Sequence, residues 1–368
     1  MEVLVTGAKG FIGKNLLERL SRIENLVVHP FDIDNKVEEL EEYIHKVEFI
    51  FHLAGINRPE NPEEFYKGNR DTIKVLTGLI ERKGLKIPVL VTSSIQVDRD
   101  NDYGKSKLQG ELFLKEYSKR NNVSVYIYRL PNVFGKWCRP NYNSVVATWC
   151  HNIANDLDIQ ISDRNISLTF VYIDDVVNSF VSHILEKREE KEYYEVPITY
   201  TKTLGEIAEL LYSFKENRKN LFIEKVGIGF ERALYSTYLS YLPRDKFSYE
   251  LVEHKDNRGA FVEILKTKDS GQFSISTSKP GITRGNHYHN TKNEKFLVIK
   301  GEAVIRFRHI NSDEIIEYYV SDKKLEVVDI PVGYTHNITN IGNDEMVLVI
   351  WANELFDKEN PDTYYLEV

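Results

Sequence analysis

Cysteine is scarce in this chain. Only Cys138 and Cys150 occur among 368 residues, twelve positions apart and with no further pair. That excludes a disulfide-stapled secreted scaffold and a four-cysteine zinc site, and it predicts two reduced thiols in a cytoplasmic protein. Long apolar runs are also missing, since no stretch reaches the roughly 18 residues a bilayer-spanning helix needs. Glu2-Val3-Leu4-Val5 already reads as a strand, so no secretory leader is expected. Excess positive charge is absent too: 48 Lys and Arg stand against 56 Asp and Glu, a formal net charge of −8. That sign argues against general nucleic-acid or anionic-membrane binding, and leaves any anionic ligand to local basic residues.

What remains is an ordinary globular composition in a chain long enough for two domains. The first two-thirds alternates short apolar runs with helical patterns. Val3–Thr6, Leu26–Phe31, Phe49–Leu53, Val89–Thr92 and Val125–Arg129 read as strands, and Ile12–Arg22, Glu63–Lys83 and Tyr103–Arg120 as helices. Such alternation predicts an α/β domain with a Rossmann-like parallel sheet. Thr203-Leu204-Gly205-Glu206 has the form of a capping box opening another helix. After Pro243 the pattern changes to short β-branched and aromatic strands, broken at Asp256-Asn257, Pro280-Gly281, Asn311-Ser312 and Gly342-Asn343. That predicts an all-β jelly-roll barrel over 244–368, following an α/β domain over 1–243.

Between the first strand and first helix lies Thr6-Gly7-Ala8-Lys9-Gly10-Phe11-Ile12-Gly13. Small residues there let the backbone approach a pyrophosphate, and the helix N-terminus offers unpaired N–H groups. Asp32, at the end of the second strand, suits a ribose hydroxyl and hence NAD, whereas Lys9 suits a 2′-phosphate and hence NADP. The residues alone leave that choice open. Further on, Tyr103 and Lys107 stand one helical turn apart and share a face. A ketone that receives hydride must also receive a proton, and a phenol of pKa ~10 gives one readily only when a cation stabilises its phenolate. Ser94, at the end of the fourth strand, is placed to orient the carbonyl oxygen.

On these pieces the first domain resembles the extended short-chain dehydrogenase/reductase family. The matching segments are TGAKGFIG (6–13), FHLAG (51–55), Asn69 with Thr72, VTSSIQV (91–97), YGKSK (103–107), RLPNVFG (129–135) and FVYIDDV (170–176). The resemblance implies a nicotinamide site that includes Leu53 and Ala54, and a substrate side near Asn132 and Arg129. One departure is the short link of eight residues between Ser94 and Tyr103, which leaves Ser93 as a rival for the serine role.

The barrel segment carries Gly281-x5-His287-x-His289-x4-Glu294-x6-Gly301, then Pro331-x-Gly333-x2-His336-x3-Asn340. Strand alternation turns His287 and His289 to one face. Three imidazoles with one carboxylate suit Zn, Fe, Ni or Mn, with zinc preferred. The spacing resembles the two cupin motifs. Asp256-Asn257-Arg258-Gly259 and Arg284-Gly285-Asn286-His287-Tyr288 resemble the dTDP-4-keto-6-deoxy-sugar epimerases. That resemblance implies His287 as a base beside a ketone and Arg258 and Arg284 on anionic or sugar groups. Those epimerases lack counterparts of His289 and Glu294, so whether His287 is base or metal ligand stays open.

As a whole the chain resembles the CapF/WbjC-type bifunctional enzymes of UDP-N-acetyl-L-fucosamine synthesis. The resemblance implies C3 epimerisation of a UDP-linked 4-keto-6-deoxy amino sugar in the cupin, then NADPH-dependent C4 reduction, in a homodimer. A reductase with a purely structural or dimerising cupin is the alternative, and an NADPH-sensing binding protein is a third reading.

Overall fold

The computed structural model describes residues 1–186 and 190–368, which divide into two compact units. The first comprises Met1–Leu211 and Gly227–Pro243. Its strands β1 (Glu2–Thr6), β2 (Val27–Phe31), β3 (Phe49–His52), β4 (Val89–Ser94) and β5 (Val125–Leu130) form a parallel sheet in the order β2-β1-β3-β4-β5. Strands covered on both faces read as continuous apolar runs, as Val3-Leu4-Val5 and Phe49-Ile50-Phe51 do. Leu40, Ile44, Leu76, Ile80, Leu114 and Tyr117 cover one face. The helix Phe11–Leu20 lies with Ile173–Leu185, Arg19 bonding Asn178 at 2.9 Å. β6 (Asn132–Phe134), β7 (Ser167–Tyr172) and β8 (Tyr200–Thr203) make a smaller sheet. Chain order reverses between β1 and β3, and α/β sheets bind ligands at such a reversal, outside the carboxyl ends of the strands.

The expected elements occur, with ends moved by a few residues. The Glu63–Lys83 helix is interrupted by a π-helical turn, Tyr66–Asp71, which carries the buried Asn69. The capping box at Thr203 is reciprocal: Thr203 N–H donates to the Glu206 carboxylate at 2.7 Å and Glu206 N–H to the Thr203 hydroxyl at 3.1 Å.

The second unit comprises Tyr212–Val226 and Arg244–Val368. The earlier segment is tied in by backbone bonds of 2.8 Å each way between Leu221 and Ile223 and Lys266. Eleven antiparallel strands follow: β9 (Glu253–Lys255), β10 (Ala260–Thr267), β11 (Gly271–Ser278), β12 (Thr283–Tyr288), β13 (Glu294–Lys300), β14 (Glu302–His309), β15 (Ile315–Ser321), β16 (Val327–Ile330), β17 (Tyr334–Asn340), β18 (Met346–Ala352) and β19 (Tyr364–Tyr365). They form two sheets, β16-β13-β18-β11-β10-β9 and β15-β14-β17-β12-β19. Phe296, Val298, Val328 and Leu348 from the first pack with Ile305, Phe307, Val320 and Ile338 from the second. This is the two-layer β arrangement of a cupin-like barrel.

Register in the second sheet is set at a bulge. β12 pairs with β17 so that Gly285 faces Asn337 and His287 faces His336, with Asn286 bulged at φ 60°. Gly285 itself sits at φ 105°, and a Cβ there would lie 2.7 Å from the His336 carbonyl oxygen and 2.9 Å from Asn337 Cα. Gly285→Ala is therefore expected to destabilise the second unit by about 2 kcal/mol or more, from backbone strain plus the clash. Urea unfolding followed by near-UV signals checks this; an unchanged midpoint would contradict the register argument.

Candidate functional site

The glycine turn lies where chain order reverses. Gly7 has φ 67°, and a Cβ on it would come within 2.6 Å of Ala54 N and 2.7 Å of the Leu53 carbonyl carbon. At Gly13 a Cβ would strike the Gly7 carbonyl oxygen at 2.1 Å. Glycine at both positions lets strand, turn and helix close on one another. Gly10 precedes the helix Phe11–Leu20, which has no side-chain cap and no acidic residue in its first turn. The amides of Phe11, Ile12 and Gly13 thus stay available to an anion, which fits a dinucleotide pyrophosphate. Asp32 braces this turn from the end of β2, accepting from Lys9 N–H at 2.7 Å and Ile33 N–H at 2.8 Å. The Lys9 ammonium pairs with Asp34 at the surface.

The structure brings Ser94, Tyr103 and Lys107 together. The helix Asp102–Asn121 starts at Asn101, whose side chain accepts from Gly104 N–H at 2.8 Å. Burial raises the Tyr103 phenol, and a hydrogen bond with Ser94 partly offsets that. Lys107 Nζ donates to the Thr92 carbonyl at 3.1 Å, and burial lowers its pKa to about 8 despite the nearby Glu111 carboxylate. Phe65 meets Tyr103 edge-on, 5.7 Å between ring centres. Ser93, the rival serine, bonds instead to the buried Glu111 carboxylate. Alternation along β4 separates the two hydroxyls.

Glu111 was not singled out in the sequence, although it stands four residues beyond Lys107 on the same helix. It also engages Arg129 at 3.0 and 2.7 Å, while the Arg129 guanidinium lies 3.7 Å over the Tyr193 ring. The structure thus gives Arg129 internal partners, because a buried carboxylate needs a cation. Asn132 is exposed and donates to the Thr169 carbonyl at 3.0 Å. Asn69 bonds both the Ile56 backbone groups and Ser106, at 2.8 to 3.1 Å. His52, also unforeseen, bonds Thr6 at 2.8 Å and is lowered to about 3 by burial and then by the Lys107 charge.

In the second unit His287, His289, Glu294 and His336 converge, their ligand atoms all within 4.8 Å of one another. β12 and its end carry the first two, β17 the last. Glu294 starts β13 and so comes from the other sheet, because the two inner faces meet in the barrel interior. Its Oε2 lies 3.5 Å from His289 Nε2 and 3.4 Å from His336 Nε2. Burial pushes the Glu294 carboxyl up, but His289 and His336 hold it well below the usual carboxylate range. His287 is lowered to about 4 by burial and then by His336 and His289. His289 Nε2, Glu294 Oε2 and both His336 nitrogens are buried with no hydrogen-bond partner among the described residues. Sealed, unpartnered donor atoms of this kind fit a divalent metal. His289 Nδ1 donates to the Asp362 carbonyl, which leaves Nε2 as the acceptor.

The two arginines lie apart from that cluster's bonds. Arg258 forks onto Asp256 at 2.7 and 2.9 Å. Arg284 donates to Ser278 Oγ at 3.0 Å and the Thr277 carbonyl at 3.1 Å, and burial followed by the Arg258 charge lowers its pKa.

Lys107 yields a stability test with a definite sign. Its folded pKa of about 8 lies below the 10.5 of an ordinary lysine. Below about pH 8 the folded state therefore carries the full penalty of a desolvated ammonium; the penalty fades as pH rises to 10.5. Lys107→Met is expected to gain on the order of 1 kcal/mol over wild type at pH 7, with the gain vanishing near pH 10.5. Parallel urea titrations at the two pH values measure it, and a variant less stable at pH 7 would refute it.

Comparisons with known proteins agree with this geometry. Residues 3–196 match the NAD dependent epimerase/dehydratase family, and residues 254–364 match the polysaccharide biosynthesis C-terminal domain. A protein of Pseudomonas aeruginosa, UDP-2-acetamido-2,6-beta-L-arabino-hexul-4-ose reductase, is 52% identical over 368 residues, covering 100% of this chain and 99% of that one. The crystal structure of capsular polysaccharide assembling protein CapF from Staphylococcus aureus superposes with a TM-score of 0.94 at 53% identity, each chain covered in full. A structure of CapF with the inhibitor 3-isopropenyl-tropolone gives 0.90 at 49% identity, again over 100% of both chains. No helix among the described residues is long and apolar enough to cross a membrane. The chain belongs to the NAD dependent epimerase/dehydratase family of nicotinamide-cofactor enzymes, in the two-unit form it shares with the Pseudomonas reductase and CapF.

Proposed function

We propose that this enzyme epimerises C3 of a UDP-2-acetamido-2,6-dideoxy-4-hexulose in the barrel and then reduces the C4 ketone in the first unit with NADPH. The product is UDP-2-acetamido-2,6-dideoxy-L-talose, for capsular polysaccharide. The observation that carries the reading is the set of sealed, unpartnered donor atoms of His289, Glu294 and His336 on the same chain as the Ser94–Tyr103–Lys107 constellation. The substrate named for the Pseudomonas relative, a UDP-linked hexul-4-ose, supports it. So does the tropolone inhibitor of CapF, because tropolones chelate divalent cations through two oxygens.

A C4 ketone acidifies the hydrogen at C3. His289, Glu294 and His336 would hold the metal, zinc by preference, which when bound offers a Lewis-acidic charge to an enolate oxygen. His287, the one imidazole of the three that is not fully buried, accepts the C3 proton on a ring nitrogen. A proton from solvent reaches C3 on the opposite face and inverts the centre, and His287 gives up the abstracted proton to solvent. Arg258 is paired with Asp256, whereas Arg284 bonds the neutral Ser278 hydroxyl and Thr277 carbonyl, so the surplus positive charge of the two suits the diphosphate.

In the first unit Ser94 and Tyr103 hydrogen-bond the ketone oxygen, and Tyr103 Oη donates the proton that the new alkoxide requires. Lys107 stabilises the resulting phenolate. The nicotinamide, when bound, supplies the hydride. The Lys9–Asp34 pair is exposed, and exposed ion pairs hold their partners only weakly, so Lys9 turns to a 2′-phosphate at little cost, which accommodates NADPH beside Asp32. Asn132 lines the substrate side, whereas Arg129 keeps its Glu111 partner. A homodimer completes the proposal, and light scattering of the purified protein tests that part.

The name of the Pseudomonas relative mentions reduction alone, which favours a second reading, a reductase with a structural barrel. Incubation with the 4-keto sugar in D2O without NADPH separates the two. Deuterium at C3 is expected, and its absence leaves only the reductase. Tyr103→Phe is expected to lower reduction by about 10²–10⁴-fold while NADPH binding and C3 exchange persist. Retained reduction would remove Tyr103 from the chemistry, and wild-type protein without turnover would point to a cofactor-sensing protein.

A further inference from the structure

The last residues of the chain, from Asp362 onward, converge on one imidazole of the barrel. His289 Nδ1 donates to the backbone carbonyl of Asp362. The Asp362 carboxylate in turn accepts from the amides of Asn290 at 3.0 Å, Thr291 at 2.6 Å and Lys292 at 2.9 Å, and from the Thr291 hydroxyl at 3.1 Å. Burial pushes that carboxyl up, but the amides outweigh it and hold its pKa well below the usual range. One side chain thus gathers three successive amides of the loop that leaves His289, while its own carbonyl meets the ring. Lys292 Nζ adds a bond to Thr363 Oγ1 at 3.1 Å.

The segment is then fastened along the strand that carries the histidines. β19 pairs with β12, His287 opposite Tyr365. Leu366 N–H donates to the Asn286 carbonyl at 3.0 Å, and the Thr335 hydroxyl donates to the Leu366 carbonyl. Thr335 adjoins His336, so the segment grips both strands that supply imidazoles.

A neutral imidazole has two tautomers, and only one presents Nε2 as an acceptor. The carbonyl of Asp362 selects it, and the selected Nε2 is the atom that lies buried and unpartnered 3.5 Å from Glu294 Oε2. We propose that Asp362 is a positioning residue, which clamps His289 in the Nε2-acceptor form and aims it into the cluster. Metal affinity in the barrel then depends on a residue 73 positions downstream of the ligand. The affinity part of this rests on the metal reading above; the tautomer part does not.

The test uses the full chain stripped of metal. Zinc affinity is measured by competition with a chromophoric chelator, and the His289 ring nitrogens are followed by 15N NMR in the metal-free state. Wild type is expected to show a single Nδ1–H form. Asp362→Ala is expected to bind zinc about 10–100-fold more weakly and to show mixed tautomers. Asp362→Asn, which keeps an acceptor for the loop amides, is expected to recover part of the loss. If Asp362→Ala fails to fold, Thr335→Val carries the test, since it removes one hydroxyl from the clamp and is expected to weaken zinc binding a few-fold. A folded Asp362→Ala protein with wild-type affinity and an unchanged Nδ1–H form overturns the inference. Wild-type protein that ignores zinc sinks the metal reading, and the tautomer then decides the clamp alone.

Discussion

Unpartnered lone pairs sealed inside the barrel constrain the second unit more than any other feature. A buried acceptor without a donor costs about 1–3 kcal/mol, and three such residues face one another across the interior. Such an arrangement persists only where the surrounding packing fixes it. Two sheets supply the parts: β12 and β17 bring imidazoles, and β13 brings the carboxylate from the facing side. The bulge at Asn286 and the glycine before it set the register that places His287 opposite His336. A slip by one residue would turn the imidazoles outward. Phe296 and Phe307 pack against the His336 ring, with ring centres 5.9 and 6.4 Å apart.

The first unit meets a related constraint with the opposite charge. An ammonium is enclosed beside a phenol, and the local dielectric resists both the protonated lysine and the ionised tyrosine. Neighbouring groups are arranged around that tension. Thr92 offers Lys107 a carbonyl, while Glu111 is held by Arg129 and Ser93 within reach of its charge. The result is a phenol whose proton can leave only when something nearby stabilises the anion.

Much of this was legible in the chain because it depends on local rules. Strand and helix periods gave the element order, and the glycine turn directly after β1 marked a candidate dinucleotide site. His287, His289, Glu294 and His336 were found by spacing, since strand alternation is a local property. Tyr103 and Lys107 were found by helical spacing for the same reason. The roles of Arg129, Glu111, His52 and Asp362 were not legible. The resemblance implied Arg129 beside the substrate, and nothing in the sequence around it named Glu111, eighteen positions earlier. Asp362 lies 70 or more residues from every group it touches in the loop after β12, and a lone aspartate near a terminus carries no pattern.

The sequence by itself therefore determined which chemical groups are present and which of them lie one turn or one strand step apart. It determined two architectures in series, because hydrophobic period and turn residues act over a few positions. Only the tertiary structure decided partnership: that Ser94 rather than Ser93 meets the phenol, that Arg129 answers a buried carboxylate, and that the end of the chain sets the tautomer of His289. Hydrogen bonds and desolvation act over a few ångströms in space regardless of separation along the chain. A linear pattern states what each side chain can do, and packing selects which of those capacities is used.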